Sequence, residues 1–198
     1  MVSNLVYSKN LFSGTREELV QILRDTLSEK RFQHVLNVEK SAIELAERNN
    51  GDRERASIAG LIHDYAKERS DETFITVIKQ KHLDPDLLNW GNAIWHGIVG
   101  AELIHDELGI SDNEILTSIV KHTTGDVDMT LLDKIVYVAD FIEESRTFPG
   151  AVEARKIAAV NLDAAVGFET KHTLSYLIDT DKKVYPKTIL TFNKWVAE

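Results

Sequence analysis

Apolar residues recur at helical spacing along almost the whole chain, and this period restricts the fold more than any other feature. The clearest segment runs from Leu131 to Ile142, where apolar residues fall on one face at intervals of three and four. No stretch alternates convincingly between apolar and polar residues as a β-strand would, and no internal repeat is present. The sequence therefore predicts an all-α fold.

Start and stop signals divide this pattern into a series of helices. Thr15 opens the first with a capping box, because Glu18 follows it by three residues. In the first half of the chain the predicted helices run from Thr15 to about Ser28, from Phe32 through Ala46 to Asn49-Asn50-Gly51, from Ala56 to Ala66, over 71–80, and over a short segment that Pro85 opens. In the second half they run over 93–108 before Gly109, from Ser111 or Asp112 to Thr123-Thr124-Gly125, and from Leu131 to before Pro149-Gly150. The last three are predicted over 151–166, over 168–178 and after Pro186.

Length and charge limit the organisation and the partners. A chain of 198 residues with no sharp change in composition predicts one domain over 1–198. The net charge of −9 argues against nucleic acid, whose phosphates must be met by clustered Lys and Arg. No apolar run reaches the roughly 18 residues of a membrane span, and residues 1–10 do not resemble a secretory signal. We therefore expect a cytoplasmic protein.

Histidine and aspartate side chains lie at positions where a helix would bury them. Asp64 and Asp140 occupy apolar stripes, and burial of an ionised carboxylate is costly unless it is paired or bound to a metal. With no cysteine in the chain, imidazole nitrogen and carboxylate oxygen are the ligands on offer for one or two first-row metal ions. Such a centre activates water for hydrolysis of a phosphate ester or anhydride. The candidate ligands are His34, His63, Asp64, His96, His122 and Asp140.

Each candidate also has an ordinary interpretation. A single histidine such as His34 is more often a core or surface residue than a ligand, and His122 at a helix C-terminus is favoured by the helix dipole. A buried carboxylate is often hydrogen-bonded or salt-bridged instead. The other histidines, His105, His82 and His172, stand among polar residues and are interpreted as non-ligands. The coincidence of two buried-side carboxylates with several histidines favours the metal centre.

These residues resemble a known signature. His34, the His63-Asp64 pair and Asp140 match the pattern of the HD-domain metal-dependent phosphohydrolases, and His96 and His122 match the additions of their two-metal members. The chain is similar in particular to the bacterial YqeK family over about residues 25–195. That similarity lies in Arg31-Phe32-Gln33-His34, Ala59-Gly60-Leu61-Ile62-His63-Asp64-Tyr65-Ala66-Lys67, His96-Gly97-Ile98-Val99-Gly100-Ala101, His122-Thr123-Thr124-Gly125 and Tyr137-Val138-Ala139-Asp140-Phe141-Ile142-Glu143 with Arg146.

The resemblance implies an HD-domain helical bundle that hydrolyses diadenosine tetraphosphate symmetrically to two ADP. It implies one or two divalent or mixed-valence ions, with iron preferred over manganese or cobalt. His34, His63, Asp64 and Asp140 would hold the first ion, and Asp64, His96 and His122 the second. Asp64 is also a candidate catalytic residue, because it alone could bridge both ions.

Cationic and hydroxyl groups near these ligands are candidates for substrate binding. Lys67 and Arg146 could contact phosphate and act in catalysis, and Thr123, Thr124 and Gly125 could donate hydrogen bonds to phosphate. Their ordinary interpretations are surface cations and a helix C-cap. The expected partners are a dinucleoside polyphosphate substrate, ADP or GDP as a product-like ligand, no membrane, and a second copy of the chain in a homodimer.

Two other functions are compatible with the same residues. An HD-type nucleotidase or a guanosine polyphosphate hydrolase would need a similar metal cage, so only a panel of substrates separates these enzymes. A non-catalytic nucleotide-binding or metal-binding regulator belongs to a different class. Retention of all six ligands argues against the regulator.

Overall fold

The computed structural model describes residues 5–198, and within this range the chain forms ten α-helices and no strand, which confirms the all-α prediction. The helices are α1 (Arg16–Thr26), α2 (Glu29–Arg48), α3 (Arg53–Ile62), α4 (Asp71–Gln80), α5 (Asn92–Leu108), α6 (Asn113–Lys121), α7 (Leu131–Ile142), α8 (Pro149–Ala158), α9 (Leu162–Asp179) and α10 (Pro186–Phe192). A 3-10 helix, Pro85–Asn89, precedes α5, and a π-helical turn, Asn193–Ala197, follows α10.

Two apolar cores hold the helices together. The larger is built chiefly by α2, α3, α6 and α7 and includes Phe32, Ile58, Ile119 and Val136. The smaller lies between α4 and α5 and includes Phe74 packed on Trp95. Between them the cores hold α2, α3, α5, α6 and α7, the helices around the metal-ligand candidates, in fixed relation.

Four helix ends differ from the prediction, and one of them is that of α7, which ends at Ile142 and not just before Pro149. The first helix ends at Thr26, because Ser28 is the N-cap of α2. The third ends at Ile62 rather than continuing through Ala66, and residues 63–69 follow it as turns and a bend. The predicted break at Gly167 lies instead at Asn161, whose side chain caps α9.

Gly167 lies inside α9 for a packing reason. A Cβ at that position would approach the carbonyl oxygen of Trp195 to 2.5 Å, so the absent side chain lets the C-terminal turn lie against the helix. The sequence pattern alone could not distinguish this close approach from a helix break.

Two further predictions from the sequence concern membrane spans and the number of domains. In that part of the chain, no helix combines the length and apolarity needed to cross a bilayer. Tyr7 and Val166 belong to one apolar core, and the single domain over 1–198 stays a prediction. The first four residues of the predicted domain and of the N-terminal segment lie outside the described residues.

Gly60 allows α3 to pack closely against α2. A Cβ at residue 60 would lie 2.8 Å from Cα of Glu39, which is backbone and cannot move aside. We predict that Gly60→Ala lowers the free energy of unfolding by roughly 1–3 kcal/mol through overpacking. Urea denaturation measures the change. Gly91→Ala is the control, since a Cβ there meets nothing within 4 Å. Equal stabilities of the two variants would contradict the packing role.

Candidate metal centre

The six predicted ligands lie in, or just beyond the ends of, five helices and meet at one place. His34 lies in α2, His96 in α5 and Asp140 in α7, whereas His63 and His122 are the C-cap residues of α3 and α6. Asp64 follows His63 in the turn after α3. The prediction that the helix continues through this pair to Ala66 is therefore wrong. His63, Asp64, His96 and His122 are buried, and His34 and Asp140 are partly buried.

These side chains form two groups of three. His34, His63 and Asp140 make one group, and Asp64, His96 and His122 make the other. Within each group the possible ligand atoms all lie within 4.8 Å of one another. Each group therefore offers three nitrogen or oxygen ligands to a single point, as a metal site requires.

Asp64 faces both groups. Its Oδ2 lies 3.6 Å from His34 Nε2 and 3.5 Å from His63 Nε2, whereas its Oδ1 lies 3.5 Å from His96 Nε2 and 4.0 Å from His122 Nε2. One carboxylate thus presents one oxygen to each group. This is the arrangement that a residue bridging two ions needs.

Backbone carbonyls fix the orientation of three imidazoles. Nδ1 of His63 lies 2.8 Å from the carbonyl of Gly60, and Nδ1 of His122 lies 2.7 Å from that of Ile119. Nδ1 of His96 lies 2.6 Å from the carbonyl of its own helix four residues earlier. A carbonyl only accepts, so each Nδ1 carries the proton and each Nε2 presents a lone pair to the centre.

Two of the Nε2 atoms lack the hydrogen-bond partners that a protein interior normally provides. Nε2 of His34 and Nε2 of His63 are buried and make no hydrogen bond within residues 5–198. Nε2 of His96 and Nε2 of His122 lie 3.0 Å apart, although both are acceptors when both Nδ1 atoms are protonated. These converging lone pairs, of which those of His96 and His122 also lie within 3.2 Å of the Thr123 hydroxyl, fit a pair of metal cations.

The local electrostatics also fit cations. Burial, reinforced for His96 by the Lys67 cation, lowers the pKa of His96 to about 3. Burial next to His63 lowers the pKa of His122 to about 4, so both imidazoles are neutral at neutral pH. Burial opposes the charge of Asp64, but the adjacent His63 holds the pKa of that carboxyl well below its usual range. The negative field of Asp64 likewise raises the pKa of His63 against the effect of burial.

Two residues that support the ligands were not assigned roles from the sequence. Arg31 donates to Oδ2 of Asp64, and Glu143 lies 3.3 Å from Nδ1 of His34 through its Oε1. Both stand three residues from a ligand, on the same helix face or just beyond its end. That spacing is the signal that could have identified them.

Arg155 holds the segment that carries Asp140 and Arg146. Its guanidinium donates to the carbonyls of Ile142, Glu143 and Arg146, which lie at and just beyond the C-terminus of α7. These carbonyls would otherwise lack intrahelical partners. The loop is therefore tied to α8.

The predicted phosphate contacts divide into two sets. Nζ of Lys67 lies 3.1 Å from Nε2 of His96, and the guanidinium of Arg146 donates to Oδ1 of Asp140 at 2.6 Å. Oγ1 of Thr123 lies 3.1 Å from Nε2 of His96. Thr124 and Gly125, in contrast, pack against Thr191 of α10: the Thr124 carbonyl accepts from the Thr191 hydroxyl, and Gly125 adopts a left-handed φ of 63° where a Cβ would clash with Thr191.

A cavity of about 490 Å³ opens beside the centre. Its inner side is formed by ligand candidates together with Lys67, Thr123 and Arg146, and its outer side by aromatic groups. His172 belongs to this wall, stacked on Phe148 at 5.9 Å between ring centroids, and lies outside both ligand groups. His82 and His105 are exposed. The remaining lining residues are Phe141, Phe148, Glu169, His172, Thr173 and Tyr176.

The aromatic wall could not be identified from sequence. Its residues come from α7, the loop before α8, and α9, and only the packing of α8 and α9 against α7 brings them together. Glu169 adds a buried carboxyl whose Oε2 has no hydrogen-bond partner in residues 5–198. Burial raises the pKa of Glu169 well above its usual range.

Comparison with known proteins gives consistent results. The family model described as HD domain matches residues 31–144, more than half of the chain. A Bacillus subtilis protein named symmetrical bis(5'-nucleosyl)-tetraphosphatase is 42% identical to this chain, and the match covers 92% of this chain and 97% of that protein. A Staphylococcus aureus protein of the same name is 38% identical, and the match covers 89% of this chain and 92% of that protein.

A solved structure from Clostridium acetobutylicum has a similar fold over nearly the full length. It is described as a predicted HD superfamily hydrolase involved in NAD metabolism. Its TM-score is 0.86 at 34% identity, covering 98% of this chain and 99% of that one.

The two ligand groups should lose metal separately. We predict that Asp64→Ala lowers the metal content of both sites, because this carboxylate faces both, whereas His96→Ala removes mainly the ion of the second group. Elemental analysis of the purified variants measures the loss. His105→Ala is the control, since His105 is exposed and belongs to neither group. Loss of metal from His105→Ala but not from His96→Ala would refute the assignment.

Proposed function

This chain belongs to the HD domain family, and we propose that it is a metal-dependent hydrolase that cleaves diadenosine tetraphosphate and related dinucleoside tetraphosphates symmetrically into nucleoside diphosphates. Relatives with that name match it over about nine-tenths of its length. The observation that carries the proposal is a double ligand group around Asp64 that opens into a cavity with cations inside and aromatic rings outside.

The cavity has the chemistry of a nucleotide site. Lys67 and Arg146 place positive charge at its inner side in a protein of net charge −9. Phe148 and Tyr176 offer apolar faces at its outer side, where a base can stack. A polyphosphate directed at the ligand groups would therefore leave its nucleoside against the aromatic wall.

We assign roles to this chain's own residues on that basis. The six ligands His34, His63, Asp64, His96, His122 and Asp140 would hold two ions, with Asp64 shared between them. Bound divalent ions in such a site supply an activated hydroxide and neutralise charge on phosphate oxygens. Lys67, Arg146 and Thr123 would hold the phosphates and stabilise the charge that develops during bond breaking.

The nitrogen and oxygen ligand set agrees with iron and also with manganese or cobalt, and we propose iron. We also propose a cytoplasmic enzyme that binds ADP or GDP as a product and forms a homodimer. A nucleotidase, a guanosine polyphosphate hydrolase and a non-catalytic regulator are the alternatives that activity measurements distinguish.

The side chains of Lys67 and Arg146 should contribute to catalysis and not to metal binding. We predict that Lys67→Ala and Arg146→Ala keep their metal content but lose catalytic efficiency, each by about 2–4 kcal/mol, because each contacts charge that develops in the transition state. Steady-state kinetics and elemental analysis measure the two effects. Lys79→Ala, an exposed position on α4 that does not line the cavity, is the control. Unchanged kinetics in both variants would make these residues ordinary surface cations.

The position of the broken bond is the most direct test of the function. We predict that diadenosine tetraphosphate gives only ADP, and that in ¹⁸O-labelled water one of each two ADP molecules carries the label on its terminal phosphate. Chromatography and mass spectrometry detect the products. Equal amounts of ATP and AMP from the outset would exclude symmetrical cleavage. Faster hydrolysis of nucleoside monophosphates would favour the nucleotidase, and no hydrolysis by metal-loaded protein would favour the regulator.

A further inference from the structure

A second cavity adjoins the first one. It has a volume of about 330 Å³ and shares the wall residues Thr123 and Thr173 with the cavity beside the metal centre. Oγ1 of Thr123 lies 3.1 Å from Nε2 of His96 and 3.2 Å from Nε2 of His122. The junction of the two cavities therefore lies at the second ligand group, and a ligand bound at that group has access to both.

The walls of the second cavity combine aromatic rings with cations. Trp90 and Tyr185 make an edge-to-face pair with ring centroids 4.8 Å apart. Lys182 and Lys183 are exposed at the rim, and neither forms a salt bridge within residues 5–198. Nζ of Lys183 lies 5.7 Å from the Trp90 ring centroid. None of these four residues has a role in the metal centre.

The backbone adds donors on the same side. α5 begins beside this cavity, with Gly91 as its N-cap, and no side chain caps the helix there. The first N–H groups of a helix without a side-chain cap remain open to an anion. Together with two exposed lysines that form no salt bridge within residues 5–198, they give an acidic protein a local preference for a negatively charged group.

We propose that the second cavity binds the other nucleotide half of the dinucleoside tetraphosphate. In this arrangement one nucleoside lies against Phe148 and Tyr176, the phosphates pass Thr123 at the metal centre, and the second nucleoside lies against Trp90 and Tyr185. Lys182 and Lys183 face the phosphates of that second half. The inference rests on the proposed function and adds the site that makes a two-nucleoside substrate preferable to a single nucleotide.

The experiment compares two ligands that differ by one adenosine. Diadenosine tetraphosphate is the substrate, and adenosine 5'-tetraphosphate, which has the same phosphate chain and only one nucleoside, is the competitor. We expect Trp90→Ala and Tyr185→Ala to raise KM for the dinucleotide about tenfold, the effect of losing one aromatic stacking partner. The inhibition constant of the mononucleoside compound should change less than about twofold on the same stacking grounds, because its single adenosine occupies the first cavity.

Further variants separate folding from binding. The exposed double variant Lys182→Ala/Lys183→Ala should raise KM in the same selective way. Phe148→Ala, which alters the first cavity, should weaken both ligands. Lys79→Ala, which lines neither cavity, is the charge control. An unchanged inhibition constant in a variant also shows that the variant is folded.

The outcomes separate the two proposals. A wild-type protein that leaves diadenosine tetraphosphate intact refutes the proposed function itself. Wild-type cleavage, with variants of the second cavity that change both constants equally or change neither, refutes only the second nucleotide site. A selective rise in KM for the dinucleotide supports it.

Discussion

The burial of one carboxylate, Asp64, determines much of this structure. A charged group in an apolar interior is stable only if positive charge or donors surround it. Arg31 supplies one donor to Asp64, and the Nε2 atoms of four imidazoles lie within 4.0 Å of the two Asp64 oxygens, where shared metal cations would supply positive charge. To bring these groups together, α2, α3, α5 and α6 must converge on one turn. The close approach of α3 to α2 at Gly60 is part of that convergence.

The C-terminal ends of two helices orient histidine side chains at this centre. α3 and α6 both end at a histidine, and in each case Nδ1 bonds the carbonyl three residues earlier. The same contact uses a carbonyl that the helix leaves unpaired and fixes which nitrogen faces the centre. Both helix C-termini also direct the negative ends of their dipoles at the site, which favours cations. The repeated device explains why His63 and His122 need no other residue to orient them.

The sequence predicted those parts of the molecule that depend on local pattern. The all-α class and most helix bounds follow from periodicity and capping residues. The cost of buried carboxylates indicated Asp64 and Asp140, and the resemblance to the HD-domain signature supported the full set of six candidates that the structure brings together. The exact end of α3 could not be predicted from the sequence, because the apolar run continues through Ala66. The chain nevertheless turns at His63 and directs the side chains of His63 and Asp64 inward. The aromatic wall of the first cavity could not be predicted from the sequence either, since Phe148 and Tyr176 come together only through the packing of α8 and α9.

A symmetric substrate meets an asymmetric site in the arrangement proposed here. The two nucleotide halves are chemically identical, but one cavity has a wall of phenylalanine, tyrosine and stacked histidine, and the other has Trp90, Tyr185 and two lysines. The centre between them can therefore treat the halves differently: one half carries the phosphorus that is attacked, and the other departs as the leaving group. Since the ligand groups lie at the junction, the bond that breaks is fixed by the distance from the centre to each cavity. Symmetrical cleavage then follows from where the two nucleosides are held.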